Sequence, residues 1–343
     1  MKVTLERAAL LKSLGHVHRV VERRNTIPIL SNEAAASTTL PAHTLYDIVR
    51  KLPDGAQVSL EAMGDGGQLQ LRSGRSRFTL QTLPDGDFPD LATGEFSHEF
   101  MLAPADLKKL IDKTQFAISN EETRYYLNGI FLHSMEEGGE TVLRAVATDG
   151  HRLARVEIAC PKGAAGVPGV IVPRKAVTET QKLVEGLSED VKVELSTTKI
   201  RLTFGDVVLT SKLIDGTFPD YMRVIPAGND KRLIVDRAPF AAAVDRVSTI
   251  SSDRGRAVKL AIADGRMTLS VTNPESGSAQ EELDVDYDSA PLDIGFNARY
   301  LLDIMEQLDS DTALFKLADP GSPTLAQDRE GASALYVLMP MRV

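Results

Sequence analysis

The 343-residue chain contains one cysteine, Cys160, and no tryptophan. A single thiol excludes an internal disulfide framework and suits a reducing cytoplasm. With no Trp and only 5% aromatic residues, a stacking platform for single-stranded nucleic acid is disfavoured. No run of about 18 apolar residues occurs, so no membrane-spanning helix is expected. The first residues, MKVTLERAALLKSLGHV, are broken by Glu6, Arg7 and Lys12 and read as an amphipathic helix start rather than a signal peptide. Basic charge is not in excess either: the net charge is −9, which leaves room only for a local basic surface on an acidic body. GxSxG, HExxH, a cysteine pair and a Walker-type loop are all missing. GDGG (64–67) and GAAGVPG (163–169) join no strand to a helix and read as turns.

What is present is repetition. LPDGDFPDL (83–91) returns as LIDGTFPDY (213–221), each after an alternating, strand-like segment. PAHTLYDIVRKLPDGAQVSLE (41–61), PRKAVTETQKLVEGLSEDVKVEL (173–195) and FNARYLLDIMEQLDSDTALFKL (296–317) each read as helix, polar turn, strand. An earlier helix is also tripled, at 3–21, 100–119 and 233–251, each entered from a short strand. The pattern predicts an α+β protein of three repeated domains, 1–95, 96–226 and 227–343, docked edge to edge. SHEF and PAGNDKR form the crossings.

The repeats also act as a ruler. From first helix to second is 71 residues in copy two (Leu102 to Pro173) and 62 in copy three (Val235 to Asn297), but 36 in copy one (Leu5 to Pro41). About 26 to 35 residues, two or three strands of ordinary length, are therefore lacking from the first domain. The deficit falls at Asn32–Glu33, between TIPIL and the low-complexity EAAASTT. Either the chain has lost them, or residues present in the molecule are missing from the sequence.

ATDGHRLA (147–154) is the most enzyme-like string, with Asp149, His151 and Arg152 together. No nucleophile or metal ligand converges on it, and Asp-Gly between strands is a hairpin signal. A hydrolase using Asp149 and His151 is the rival reading. His16 and His18, two apart on a helix, do not face one another, and Cys160 reads as a small buried residue. Charge is unevenly shared: the six predicted helices carry +4 and everything else −13, with Arg7, Lys12, Arg19, Arg23 and Arg24 on the first. Solvated helix faces or a phosphate-facing surface both fit. The terminal ALYVLMPMRV fits a buried closing strand or an adaptable methionine-lined groove.

Taken in order, RSGRSRFTL, TQF, RYYLNG, VATDGHRLA, VIVPRK, TSKLIDGTFPDY, NPE, IGFN and YVLMPMR resemble the bacterial DNA polymerase III beta subunit, the sliding clamp, from Met1 to Val343. The resemblance implies a non-catalytic, cofactor-free processivity factor. It forms a head-to-tail homodimeric ring around double-stranded DNA, with helices lining the hole, and tethers the replicative polymerase. Arg24 and Tyr125 match family positions near DNA, with Arg72, Arg75 and Arg77 as basic neighbours. It implies a peptide groove, between the second and third domains, for the polymerase, the clamp loader and other clamp-motif proteins. That groove draws on Arg124, Tyr126, Leu127, Thr148, Gly150, His151, Arg152, Leu153, Pro219, Val224, Tyr300, Val337, Met339, Met341 and Arg342. At the ring closure, Phe100 and Leu102 are expected against Ile250 of the other subunit, and Arg72–Arg77 against Glu275, Glu281 and Glu282. No membrane or metal is implied. A monomeric peptide-binding adaptor is the remaining alternative.

Overall fold

The structure, a computed structural model, describes residues 2–20, 39–63, 67–83, 95–251 and 257–343. The chain forms two compact units, Met1–Thr93 and Gly94–Val343. In the first unit, β1 (Lys2–Glu6) and α1 (Arg7–Val20) precede α2 (Ala42–Lys51), β2 (Gln57–Met63), β3 (Gln68–Ser73) and β4 (Ser76–Gln81). These strands form one antiparallel sheet in the order β1-β2-β3-β4. α2 begins after Pro41, whose fixed φ suits a helix start, and buries Ala42, Leu45 and Val49 at helical spacing.

The second unit holds two fuller versions of this plan. The first runs β5 (His98–Leu102), α3 (Pro104–Gln115), β6 (Gly129–Glu137), β7 (Glu140–Thr148) and β8 (Arg152–Ala159), then β9 (Val170–Pro173), α4 (Arg174–Val184), β10 (Val191–Leu195), β11 (Lys199–Phe204) and β12 (Val207–Lys212). The second runs β13 (Lys231–Asp236), α5 (Arg237–Ser248), β14 (Ala257–Ala263), β15 (Arg266–Asn273) and β16 (Gly277–Asp284), then β17 (Leu292–Asn297), α6 (Ala298–Gln307), β18 (Thr312–Leu317), β19 (Thr324–Gln327) and β20 (Ala334–Leu338). Each version is thus β-α-β-β-β twice over. The halves interlock by exchanging first strands: β5 pairs with β10, and β9 with β6. β13 pairs with β18 and β17 with β14 in the same way. Period-two burial produces this, as in β14, where Val258, Leu260 and Ile262 are buried and the residues between are not.

The two versions join through β20 and β8, in register from Ala334↔Val156 to Leu338↔Arg152. The result is one eight-stranded sheet, β13-β18-β19-β20-β8-β7-β6-β9, which is why both versions fall in one compact unit. SHEF, expected as a crossing, mostly belongs to β5.

Phe100 and Leu102 are not interface residues. Each is 2% exposed and belongs to the core of the second unit. Phe100 lies opposite Val193 and under the backbone of Gly163. An apolar alternation looks the same in sequence whether it faces a core or a partner.

The interval between α1 and α2 is 21 residues (21–41), against 58 (116–173) between α3 and α4 and 49 (249–297) between α5 and α6. The longer intervals carry the four strands β6–β9 and β14–β17. Residues 21–38, including TIPIL, Arg24 and Asn32–Glu33, lie outside the described residues. On the first helices, α3 buries Leu107, Leu110, Ile111 and Thr114, and α5 buries Phe240, Ala243, Val244 and Val247. Among its described side chains α1 buries Leu10 and Leu14 alone, and Val17, in the register of Thr114 and Val247, is half-buried. Among the described side chains α1 thus buries fewer apolar residues than α3 or α5, which predicts that the first unit is the weaker. Calorimetry of the full chain should resolve a first transition at least about 5 °C below the main one, the shift expected of about 1 kcal/mol in a domain this size. Limited proteolysis should cut first within 1–93; one coincident transition would contradict the reading.

Candidate functional site

The β7–β8 hairpin carries the TDGHRL string. Asp149 Oδ1 accepts from the backbone N–H of His151 (2.9 Å) and Arg152 (3.0 Å), while Oδ2 accepts from Arg152 Nε (3.2 Å). Thr148 Oγ1 accepts from Gly150 N (3.1 Å) and donates to the Arg152 carbonyl (2.7 Å). The carboxylate is committed to its own turn, an arrangement typical of Asx turns, and does not orient the exposed His151 ring. The geometry is a hairpin, not an acid–base dyad. Gly150 has φ +89°, and a Cβ there would lie 2.4 Å from Arg124 Nη1, so glycine serves both the turn and the close approach. Arg124 itself is held by both oxygens of Glu121, at 2.8 and 2.6 Å, and that bond holds the Glu121 carboxyl below its usual value.

Arg152 does not project into solvent. Its guanidinium lies 5.0 Å from the Phe116 ring centre and 4.4 Å from that of Tyr300. It pairs with Asp303 and donates to the Phe116 carbonyl (2.6 Å). It therefore ties the end of α3 to α6, across the seam between the two versions.

Next to the hairpin lies a separate apolar cluster. Leu127, Leu153 and Val337, each 3% exposed or less, pack with Phe218, Tyr221 and Leu335, and Tyr126 joins from the edge. Residues at its margin are open: Val224 is 42% exposed and Met339 37%, and Gly150, His151, Pro219 and Arg342 are exposed too. Tyr300 and Met341 are half-buried. The terminal segment is fixed by Met339 N donating to the His151 carbonyl (2.9 Å) and Met341 N to the Gly295 carbonyl (2.8 Å). A Cβ on Gly295 would sit 2.8 Å from the Met341 oxygen. Sequence reasoning passed over Phe218, Tyr221 and Gly295 as site residues, although all three stand in quoted strings; the doubled FPD was the available signal.

Tyr125, beside Tyr126, is 52% exposed. Arg72, Arg75 and Arg77 are exposed in the first unit, with Arg72 opposite Arg77 across β3–β4. Glu275 and Glu282 are exposed, and Ile250 packs half-buried on the core. Glu281 is already paired with Arg246 (3.0 Å), whose bond holds its carboxyl below the usual value, and Glu282 lies 3.5 Å from Arg266. Among the described residues no cluster of His, Cys, Asp and Glu could hold a metal, and no helix is long and apolar enough to cross a membrane.

Family models of the DNA polymerase III beta subunit match the chain in order: the N-terminal domain over 1–34 and 32–92, the central domain over 101–220 and the C-terminal domain over 222–342. The chain belongs to the DNA polymerase III beta-subunit family. It is a DNA sliding clamp, a non-catalytic processivity factor. The beta sliding clamp of Caulobacter vibrioides is 54% identical over 372 positions covering both chains in full, and that of Pseudomonas aeruginosa 38% identical over 373. Crystal structures of the Bartonella birtlesii clamp bound to griselimycin (TM-score 0.94, 53% identity, both chains covered in full) and of the Caulobacter crescentus clamp (0.95, 52%, 100% and 99% covered) are similar throughout. The second contains polyethylene glycol at a putative beta-motif tethering region. An alignment of 372 positions against 343 residues leaves 29 that this clamp does not fill, within the range predicted from the repeats. The N-terminal model breaks at 32–34, where the ruler placed the deficit.

Replacing Arg152 by Ala removes a largely buried cation from two rings and an acceptor set. Urea unfolding should show the second unit weakened by about 3 kcal/mol; a loss under about 0.5 kcal/mol would remove Arg152 from its place as the tie across the seam.

Proposed function

We propose that this clamp encircles duplex DNA as a head-to-tail homodimer of three-domain subunits (1–95, 96–226 and 227–343) and slides on it in the cytoplasm. Loaded by a clamp loader, it holds the replicative polymerase and other clamp-motif proteins through one peptide groove. The groove is the depression over Leu127, Leu153 and Val337, rimmed by Arg124, Tyr126, Thr148, Gly150, His151, Pro219, Val224, Tyr300, Met339, Met341 and Arg342, with Arg152 bracing its wall from behind. The observation that carries this reading is the buried apolar cluster itself, with exposed Val224 and Met339 at its margin. Such a site suits short apolar peptide anchors oriented by a few polar groups. Methionines at the rim suit several partners.

Duplex binding rests on basic side chains that touch phosphates without reading bases, which permits sliding. Arg24, Arg72, Arg75, Arg77 and Tyr125 are the candidates. Ring closure brings Glu275, Glu281 and Glu282 to the neighbouring subunit's Arg72–Arg77 region, with Ile250 also at the interface.

Two measurements test the proposal. Clamp loaded on nicked circular DNA should stay bound and be lost when the circle is cut; equal loss from both would contradict topological tethering. The groove is also proposed as the site for griselimycin, which the Bartonella birtlesii clamp binds, so Met339→Asp should weaken griselimycin binding at least tenfold while light scattering still gives a dimer. Unchanged affinity would remove this face as the groove, and a single-subunit mass at micromolar concentration would sink the ring.

A further inference from the structure

A buried polar chain lies behind the groove. Arg144, on β7, is 0% exposed. It pairs with Glu157 on β8 (Nε–Oε2 3.0 Å) and Glu137 on β6, and its Nη1 donates to the Tyr221 hydroxyl at 3.1 Å. Tyr221 Oη lies 2.9 Å from Nε2 of His133 on β6, and His133 Nδ1 faces the Ser134 carbonyl at 3.4 Å. A guanidinium only donates. The Ser134 carbonyl can only accept, so the neutral His133 ring carries its proton on Nδ1 and its Nε2 accepts from the Tyr221 hydroxyl; a protonated ring cannot accept. That hydroxyl accepts in turn from Arg144 and, among the described residues, has only the distant Met135 sulfur, at 3.9 Å, as another acceptor. Burial, reinforced by the Arg144 charge, pushes the His133 pKa down. Tyr221 opens the short 3-10 turn Tyr221–Arg223, between Pro219 and Val224. Its ring packs in the groove floor with Phe218, which stacks on Phe131 at 4.8 Å.

We infer that Tyr221 is the positioning residue of the groove: the Arg144–Tyr221–His133 chain holds the wall segment 218–224 on the β6–β8 sheet, and protonation of His133 releases it, so groove affinity falls in acid. This rests on the groove reading above. The charged groups around His133 are Arg144 from β7, Glu137 from β6, and Glu157 with Arg155 from β8, the last lying 3.6 Å from Glu157 and 3.9 Å from Glu137. From the segment itself comes only the Tyr221 hydroxyl, since Asp220 and Arg223 pair with each other at 2.8 Å and are exposed. The closed wall disfavours the proton on His133. Its advantage is therefore complete above the ordinary histidine value near 6.5 and declines as pH falls below it.

The affinity of the full chain for griselimycin, by calorimetry at pH 7.5 and 5.5, is the test. Wild type should weaken about threefold to tenfold at the lower pH, the range of one hydrogen bond lost. His133→Gln, neutral at both, should lose that drop; whatever drop survives belongs to the exposed His151. Tyr221→Phe keeps the ring and should bind about threefold more weakly at pH 7.5, with no further His133-dependent loss. A flat wild-type profile, or a His133→Gln profile that falls like wild type, overturns the inference while leaving the groove intact. Failure to bind at pH 7.5 overturns both. Should Tyr221→Phe not fold, as judged by thermal melting, the His133→Gln comparison decides alone.

Discussion

The five backbone pairs between β20 and β8 are the contact on which the second unit depends. Without them, β8 and β20 would each end a four-stranded sheet with a bare row of donors and acceptors. With them, two repeats share eight strands, and the edge liability of both is cancelled at once. Register matters as much as pairing. A one-residue slip would turn Leu153 and Val337, opposite each other across the seam, away from the cluster they share. The candidate groove is thus a by-product of the seam, because its floor consists of side chains that two repeats place on one face.

Register alone does not fix the angle between the repeats, and buried charge completes the constraint. Arg152 reaches from β8 between the rings of Phe116 and Tyr300 to Asp303 on α6. Such a group is satisfied in only one arrangement of α3 and α6, since moving either helix strands a cation among apolar groups. Apolar packing tolerates sliding; a cation lying on two rings and held by three separate acceptors does not. Seen this way, the DGHR string is informative because Asp149 shapes the turn that aims Arg152.

Much of this was legible in the sequence, for identifiable reasons. Helix and strand periodicity survives in each repeat, so the plan and its tripling could be read. The hairpin at Asp149–Gly150 followed from turn chemistry, and the ATDGHRLA string was correctly discounted as catalytic. The terminal strand was legible in part: β20 is buried throughout, as the closing-strand reading of ALYVLMPMRV requires, while Met339 beyond it is exposed. Phe100 and Leu102 failed because alternation gives a face but not the identity of what covers it. Tyr221 and Arg144 were illegible as partners because they are 77 residues apart and meet only once the FPDY segment has folded back over β6 and β7.

The deficit in the first copy bears on more than one sheet. By the repeat, β4, β12 and β20 are equivalent last strands, and β8 is the strand that β20 requires. The strands β6–β9 alone comprise 30 residues, more than the 21 available between α1 and α2. The first copy cannot then carry a full counterpart of that sheet, including the place that β8 holds in the second. β12 ends its sheet among the described residues, with Val208 57% exposed. The deficit therefore falls on the first copy's counterpart of β6–β9, the same interval that the repeat spacing singled out in the sequence.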